Sequence, residues 1–247
     1  MRFSTISLSA LMLASATPAL AQEATAPPPA FTVNANATVV SDYRFRGISQ
    51  TDKKAALQGG FTITHESGFY VSTWGSSIDD YIAAGSDQEL DLIAGYSHTF
   101  SNGIKLDGGV LYYYYPGGGN APTDFFEPYV DISGTYGPVT AKVTANYAPK
   151  SNALSVGAGK EDNLYIAGDL TAAIPKTPIG LTAHLGHTFG PSYLSIGNEY
   201  TDWGLGANVT WNHLTLGASY VDTSKDAFLG TRNLSGSGVV VSLGASF

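Results

Sequence analysis

Along most of this chain apolar and polar residues take alternate places, the period of a strand with one greasy face and one wet face. In the last run Val239, Val241, Leu243, Ala245 and Phe247 alternate with Ser242, Gly244 and Ser246. Near the start Phe31, Val33, Ala35, Ala37 and Val39 alternate with Thr32, Asn34, Asn36 and Thr38, and the same phase runs on through Tyr43 and Phe45 against Asp42, Arg44 and Arg46. Twelve such runs can be placed, near 31–45, 54–65, 69–77, 89–100, 104–115, 125–136, 139–149, 163–174, 179–189, 199–211, 214–222 and 236–247. In the third, Phe69 and Val71 compete with Tyr70 and Trp74 for the apolar face, and His98 falls on the apolar phase of the fourth.

The connections between runs alternate in length. Short turns fall at Glu66 to Gly68, Ser101 to Gly103, Gly137-Pro138, Pro175 to Pro178 and Asn212-His213, all rich in turn formers. Longer loops fall at Gly47 to Lys53, Ile78 to Gln88, Pro116 to Asp124, Lys150 to Asp162, Gly190 to Asn198 and Thr223 to Ser235. An even number of strands, short turns on one rim and long loops on the other predict an all-β fold, a transmembrane antiparallel up-and-down β-barrel of about 12 strands. Aromatics on the apolar phase gather towards the strand ends and predict two interfacial girdles. One holds Tyr43, Phe45, Tyr112, Tyr114, Phe126, Tyr147, Trp203 and Tyr220, and the other Phe31, Phe100, Tyr136, Trp211 and Phe247.

The amino terminus fits a membrane destination. Met1-Arg2, a short apolar segment from Ile6 to Leu20 and the small-residue site Ala19-Leu20-Ala21 read as a cleaved signal peptide over 1–21. A Pro-rich leader over 22–30 follows, which cannot pair in a sheet, and the barrel is expected over 31–247. No stretch holds about 20 consecutive apolar residues, which excludes a helical membrane protein. Cysteine is absent, so no disulfide framework supports the exported chain. Losing Arg2 reduces the 12 basic residues to 11 against 20 acidic ones, a net of −9, and nucleic acid is not an expected partner.

With the apolar side facing lipid, the charges must face the lumen, because Arg or Lys on the outer face costs about 2–4 kcal/mol at mid-bilayer. The residues so placed are Asp42, Arg44, Arg46, Glu89, Asp91, Lys105, Asp107, Glu127, Asp131, Lys142, Asp169 and Asp202. Arg44 and Arg46 on one wall would oppose Glu89, Asp91 and Glu127 on the other, giving a transverse field at a constriction or, alternatively, ion pairs that brace a narrow barrel. Other chemistry is sparse. His65, His98, His184, His187 and His213 form no compact ligand set, and His184 and His187 fall on opposite faces of one strand. No motif supplies the serine, histidine and acid of a hydrolase. The glycine runs Gly117 to Gly119 and Gly157-Ala158-Gly159 open no helix and read as loops, so no metal, cofactor or enzymatic activity is expected.

The segment Ser41 to Thr51, SDYRFRGISQT, resembles the hallmark of the TorF family of porin-like proteobacterial proteins, also called the Gcw_chp family. The resemblance extends through Gln58 to Phe61, His65 to Tyr70, Trp74 to Ser76, Glu89 to Leu92, Gly95-Tyr96, Tyr112 to Gly117 and Tyr200 to Trp203. The alternating carboxyl-terminal strand ending on Phe247 is similar to the signature of bacterial outer-membrane barrels. These resemblances imply an outer-membrane porin with outer-membrane lipid around it, recognised through Phe247 by the assembly machinery. Passive diffusion of small polar solutes or ions through a narrow charged lumen is the expected function, with a weak cation preference. The alternatives are a non-conducting barrel whose loops bind a partner or surface ligand, and a membrane-embedded hydrolase.

Overall fold

The computed structural model describes residues 29–247. The signal peptide expected over 1–21 and most of the leader expected over 22–30 lie outside these residues. The barrel strands are β1 (Phe31–Val40), β2 (Ala56–His65), β3 (Phe69–Ser77), β4 (Gln88–Thr99), β5 (Lys105–Tyr114), β6 (Phe125–Tyr136), β7 (Val139–Val156), β8 (Gly159–Ala173), β9 (Ile179–Phe189), β10 (Tyr200–Trp211), β11 (Leu214–Thr223) and β12 (Gly238–Ser246). Each pairs antiparallel with its neighbours in sequence, and β1 pairs with β12 to close the ring. That seam runs from Asn36↔Ser246 to Val40↔Ser242, half the length of the β1–β2 ladder from Phe31↔His65 to Val40↔Ala56. Backbone bonds between Ala35 and Phe247 continue it to the last residue.

Closure gives every strand one outward and one inward row. The outward row is apolar, with Val33, Leu57, Val71, Leu92, Val130, Leu185, Leu205 and Leu243 exposed on the outer wall. The competition on β3 ends with Phe69 and Val71 outside and Tyr70 and Trp74 buried inside. The girdles form as expected at Tyr114, Phe126, Tyr147 and Tyr220 on one rim and at Phe31, Phe100, Tyr136, Trp211 and Phe247 on the other. Phenol hydroxyls of the loop-side girdle donate to nearby carboxylates: Tyr112 to Asp124, Tyr147 to Asp162 and Tyr220 to Asp222. Among the described residues no helix is long and apolar enough to cross a membrane; the strands carry the apolar surface.

Two departures bear on the lumen. The expected first strand over 31–45 stops at Val40, and residues 41–53 turn into the barrel, so Tyr43 and Phe45 do not join the outer girdle. Tyr43 is 3% exposed and its hydroxyl bonds a lumenal carboxylate, an arrangement lipid cannot supply. The alternation across 41–46 is satisfied by protein on both sides. The expected loop over 150–162 is instead the extended end of β7 and β8, joined at Gly157-Ala158 and carrying register shifts near Glu161. Its polar outer residues need no apolar partner above the rim, while Ala148 and Leu154 on the inner side are fully buried against the lumenal cluster.

The apolar core lies inside the ring. Ile93, Leu111, Tyr113 and Phe125 from the wall meet Phe45 from the inserted segment under Leu154 and Leu194. Tyr43 packs with Trp74, Ile78 and Ala83, and Ile48 with Tyr200, Ala227 and Leu234. The loop-side half of the lumen is thus filled.

Candidate functional site

The inserted segment is a miniature hairpin, Arg44–Phe45 pairing with Ile48–Ser49. Its turn is Arg46-Gly47, with φ of 49° and 80°. Two successive positive φ values are what a two-residue type I′ hairpin turn requires. Gly47 adopts this freely, and a Cβ there would overlap Thr223 Cγ2 and crowd Asp202 Cβ. At Arg46 the same backbone region costs of order 1–3 kcal/mol, so its side chain must hold it there.

Arg46 is held on three sides. Nη2 forms an ion pair with Glu127 Oε1 at 2.5 Å, and Nη1 donates to Asn163 Oδ1 at 2.8 Å. Its Cζ lies 4.2 Å from the Tyr165 ring centroid and 4.7 Å from that of Phe45. Both Arg46 and Glu127 side chains are 0% exposed. Glu127 Oε2 accepts from Tyr113 Oη and Asn146 Nδ2, each at 3.0 Å, and Tyr200 Oη donates to the Arg46 carbonyl. Burial works against the guanidinium's charge, but the adjacent Glu127 carboxylate outweighs it and lifts the Arg46 pKa above its ordinary value. The Arg46 Nε hydrogen finds no acceptor.

The rest of the segment ties the hairpin to itself and to the last loop. Asp42 accepts from Arg44 Nε and from Ser49 Oγ, at 2.5 and 2.6 Å. Arg44 Nη1 donates to the carbonyls of Gly47, Leu234 and Gly236, and Ser49 N donates to Leu234 O. Nearer the loop rim, Glu89 accepts from Tyr43 Oη at 2.7 Å and Tyr115 Oη at 3.0 Å. Burial, then the negative charges of Glu89 and Asp91, push the Tyr43 phenol well up. At the rim Tyr81 donates to Ser49 O, and burial raises its phenol to about 12.

Towards the short-turn rim the interior is polar, and a few of its side chains are partly exposed. Lys142 pairs with Asp169 at 3.1 Å, with 23% and 27% of the side chains exposed. His184 joins Asp169 at 2.7 Å to Asp202 at 2.8 Å, and Tyr165 Oη donates to Asp202 at 3.1 Å. Lys105 pairs with Asp107, which also accepts from Tyr70. Asp131 is buried on the inner face of β6 between these groups and Glu127.

The residues named from sequence therefore occupy three settings. Arg46 and Glu127 meet directly. Arg44 turns back to Asp42 and backbone carbonyls and does not reach the acidic wall, while Glu89 is capped by tyrosines. Direct neutralisation replaces the expected transverse field between opposed walls. Asp91 sits beside Tyr113 in the ladder, 3% exposed, with Oδ1 unpartnered. Asp169 and Lys142 pair directly, and His184 joins Asp169 to Asp202, a bridge that neither metal-ligand spacing nor a hydrolase motif would reveal. Tyr113, Asn146, Asn163, Tyr165 and Tyr200 were also missed. Their signal is large aromatics and amides on the polar phase of their strands, where a water-filled lumen needs none.

The family model described as "Bacterial protein of unknown function (Gcw_chp)" matches residues 21–247. No curated protein matches the chain. Among solved structures, the KdgM porin is similar at 9% identity over 87% of this chain and 97% of its own, with a TM-score of 0.55. The KdgM porin in complex with disordered oligogalacturonate gives 0.56 at the same identity and coverages. The COG4313 outer membrane channel from Pseudomonas putida F1 is similar at 13% identity over 90% and 96% of the two chains, with a TM-score of 0.53. At these identities the likeness is one of fold: a closed outer-membrane barrel of porin type.

Proposed function

Starting from a chain that belongs to the Gcw_chp family, we propose that it is an outer-membrane channel for passive diffusion of small polar solutes or ions, held shut in this conformation by the 41–53 hairpin. The observation that carries this reading is the seating of Arg46 on Glu127 across an otherwise acidic lumen. Asp42, Glu89, Asp91, Asp107, Glu127, Asp131, Asp169 and Asp202 outnumber Arg44, Arg46, Lys105 and Lys142 by two to one. A barrel braced only for stability has no need of a strained turn that brings one cation to its centre. The half of the lumen below is lined by charged and polar side chains, as a path for polar solutes requires.

The charge balance sets the expected solute. The KdgM porin is described with oligogalacturonate, a polyanion; the excess of lumenal carboxylates here favours small cations instead. Solutes would be sorted at Arg46 and Glu127, then pass Asp131, Asp202, Asp169 and Lys142. The porin-like neighbours and the resemblance to TorF proteins support an outer-membrane location. Recognition of Phe247 by the assembly machinery belongs to the same reading.

Planar-bilayer recording tests it. The wild-type barrel should open rarely, and Arg46→Met should raise the open probability at least tenfold with a reversal potential favouring potassium over chloride. The filled upper lumen favours a second reading, a non-conducting barrel that displays its loops and the long β7–β8 hairpin to a partner. Membranes silent with both proteins at all voltages would leave that reading in place of the channel.

A further inference from the structure

We propose that the pocket holding Arg46 is a binding site for a planar organic cation of the guanidinium class, and that the hairpin's own arginine occupies it as a stand-in for that solute. The inference rests on the channel reading and names the substrate class of the same site. Three features of one cation are matched by three groups of the barrel wall, none of them on the hairpin. Glu127 supplies the carboxylate, Asn163 an amide oxygen in hydrogen-bond range, and Tyr165 an aromatic face at 4.2 Å. A carboxylate and an amide at the edge with a ring against the face are the recognition elements of a guanidinium. When the hairpin withdraws, Arg46 leaves with it and Glu127 keeps only the neutral partners Tyr113 and Asn146.

The fit of the present occupant is incomplete, and this second observation points to another ligand. Arg46 reaches the pocket only by adopting φ of 49°, and its Nε donor goes unused. In the same region Asp91 is 97% shielded, yet its Oδ1 has no hydrogen-bond partner. It flanks Tyr113, whose hydroxyl contacts Glu127. A free cation, unconstrained by a backbone, can turn in the seat to use the donor that the tethered arginine leaves idle. A solute that fits the seat competes with the tethered arginine and shifts the hairpin towards its withdrawn state. Cargo and gate then compete for one seat.

The test uses the full-length barrel in detergent, with closure of each variant confirmed by heat-modifiable gel mobility. Isothermal titration with methylguanidinium should give at least tenfold tighter binding to Arg46→Met than to wild type, where the arginine competes. Urea, the uncharged isostere, should not bind. Adding Glu127→Gln to Arg46→Met should weaken methylguanidinium at least tenfold. Arg46→Gln serves as the second vacated variant if Arg46→Met does not close. Equal, weak titration of wild type and the vacated variants, or affinity indifferent to Glu127, overturns the proposal. Potassium current through the same variants in bilayers separates this outcome from failure of the channel reading. Current without binding removes the site and keeps the channel; binding without current keeps the site and removes the channel.

Discussion

Two ion pairs of similar chemistry occupy one lumen and differ in almost everything else. Arg46–Glu127 is sealed at 0% exposure among tyrosines and asparagines, while Lys142–Asp169 remains about one quarter exposed towards the short-turn rim. Burial removes the water that would otherwise screen each charge. The sealed pair therefore depends wholly on its partners, and the partly exposed pair can fall back on solvent. The same barrel thus holds one sealed pair on which the seat of the hairpin depends, and one partly exposed pair tolerant of change.

The largest break in that contrast is Glu127→Ala, which leaves the Arg46 charge buried alone. It should cost about 3–5 kcal/mol in urea unfolding of the reconstituted barrel or else expel the hairpin, read as new protease cleavage within 41–53. A loss below about 1 kcal/mol with the hairpin still protected would erase the distinction between the pairs. Next, Gly47→Ala should cost about 1–3 kcal/mol from its backbone and more from the overlap with Thr223. Gly157→Ala, at φ of 62° with nothing within 4 Å, provides the backbone penalty alone. If the two lose equal stability, crowding at the hairpin seat contributes nothing.

Replacing the sealed pair as a unit sharpens the comparison. Arg46→Met with Glu127→Leu should lose less stability than Glu127→Ala, because removing both charges strands neither, although Tyr113, Asn146 and Asn163 lose their partners. A double variant as unstable as Glu127→Ala would show that the charge itself was not the cause. At the partly exposed pair Lys142→Ala should cost at most about 1 kcal/mol in the same urea assay.

The smallest effect lies at the rim. Partial burial pushes the Asp79 carboxyl up, but hydrogen bonds and charge from Lys54 outweigh this and hold it below the usual range. A depressed carboxyl stabilises the fold above its ordinary pKa, and the contribution is lost as pH falls through the lowered value. Lys54→Ala should raise the Asp79 titration midpoint followed by carbon-13 NMR. An unmoved midpoint would show that Lys54 does not hold the Asp79 carboxyl down.

The barrel was legible because lipid imposes one rule on every strand, and departures from alternation are costly enough to be rare. The inserted hairpin was not, and the reason is specific. Tyr43 and Phe45 continue the apolar phase of β1, yet their apolar surroundings are Trp74, Tyr113 and Ile82 instead of lipid. Period two reports that a face is apolar, not what touches it. Two cues pointed inward: Arg46-Gly47 between apolar neighbours reads as a two-residue turn, and Trp74, Tyr113, Tyr165 and Tyr200 crowd the polar phase. The charged residues named from sequence do face the interior, but their pairing depends on where the hairpin puts Arg44 and Arg46. No single strand encodes that.

The arginine's seat also orders the events of biogenesis. Arg46 hangs from β1, while Glu127 and Asn163 stand 81 and 117 residues further along, on β6 and β8. The seat is therefore not assembled until the middle of the chain has been added, and the surrounding wall is complete only when the short β1–β12 seam is zipped. Protection of Arg46 from a guanidine-directed label would then act as a clock, marking the moment the hairpin docks on β6 and β8.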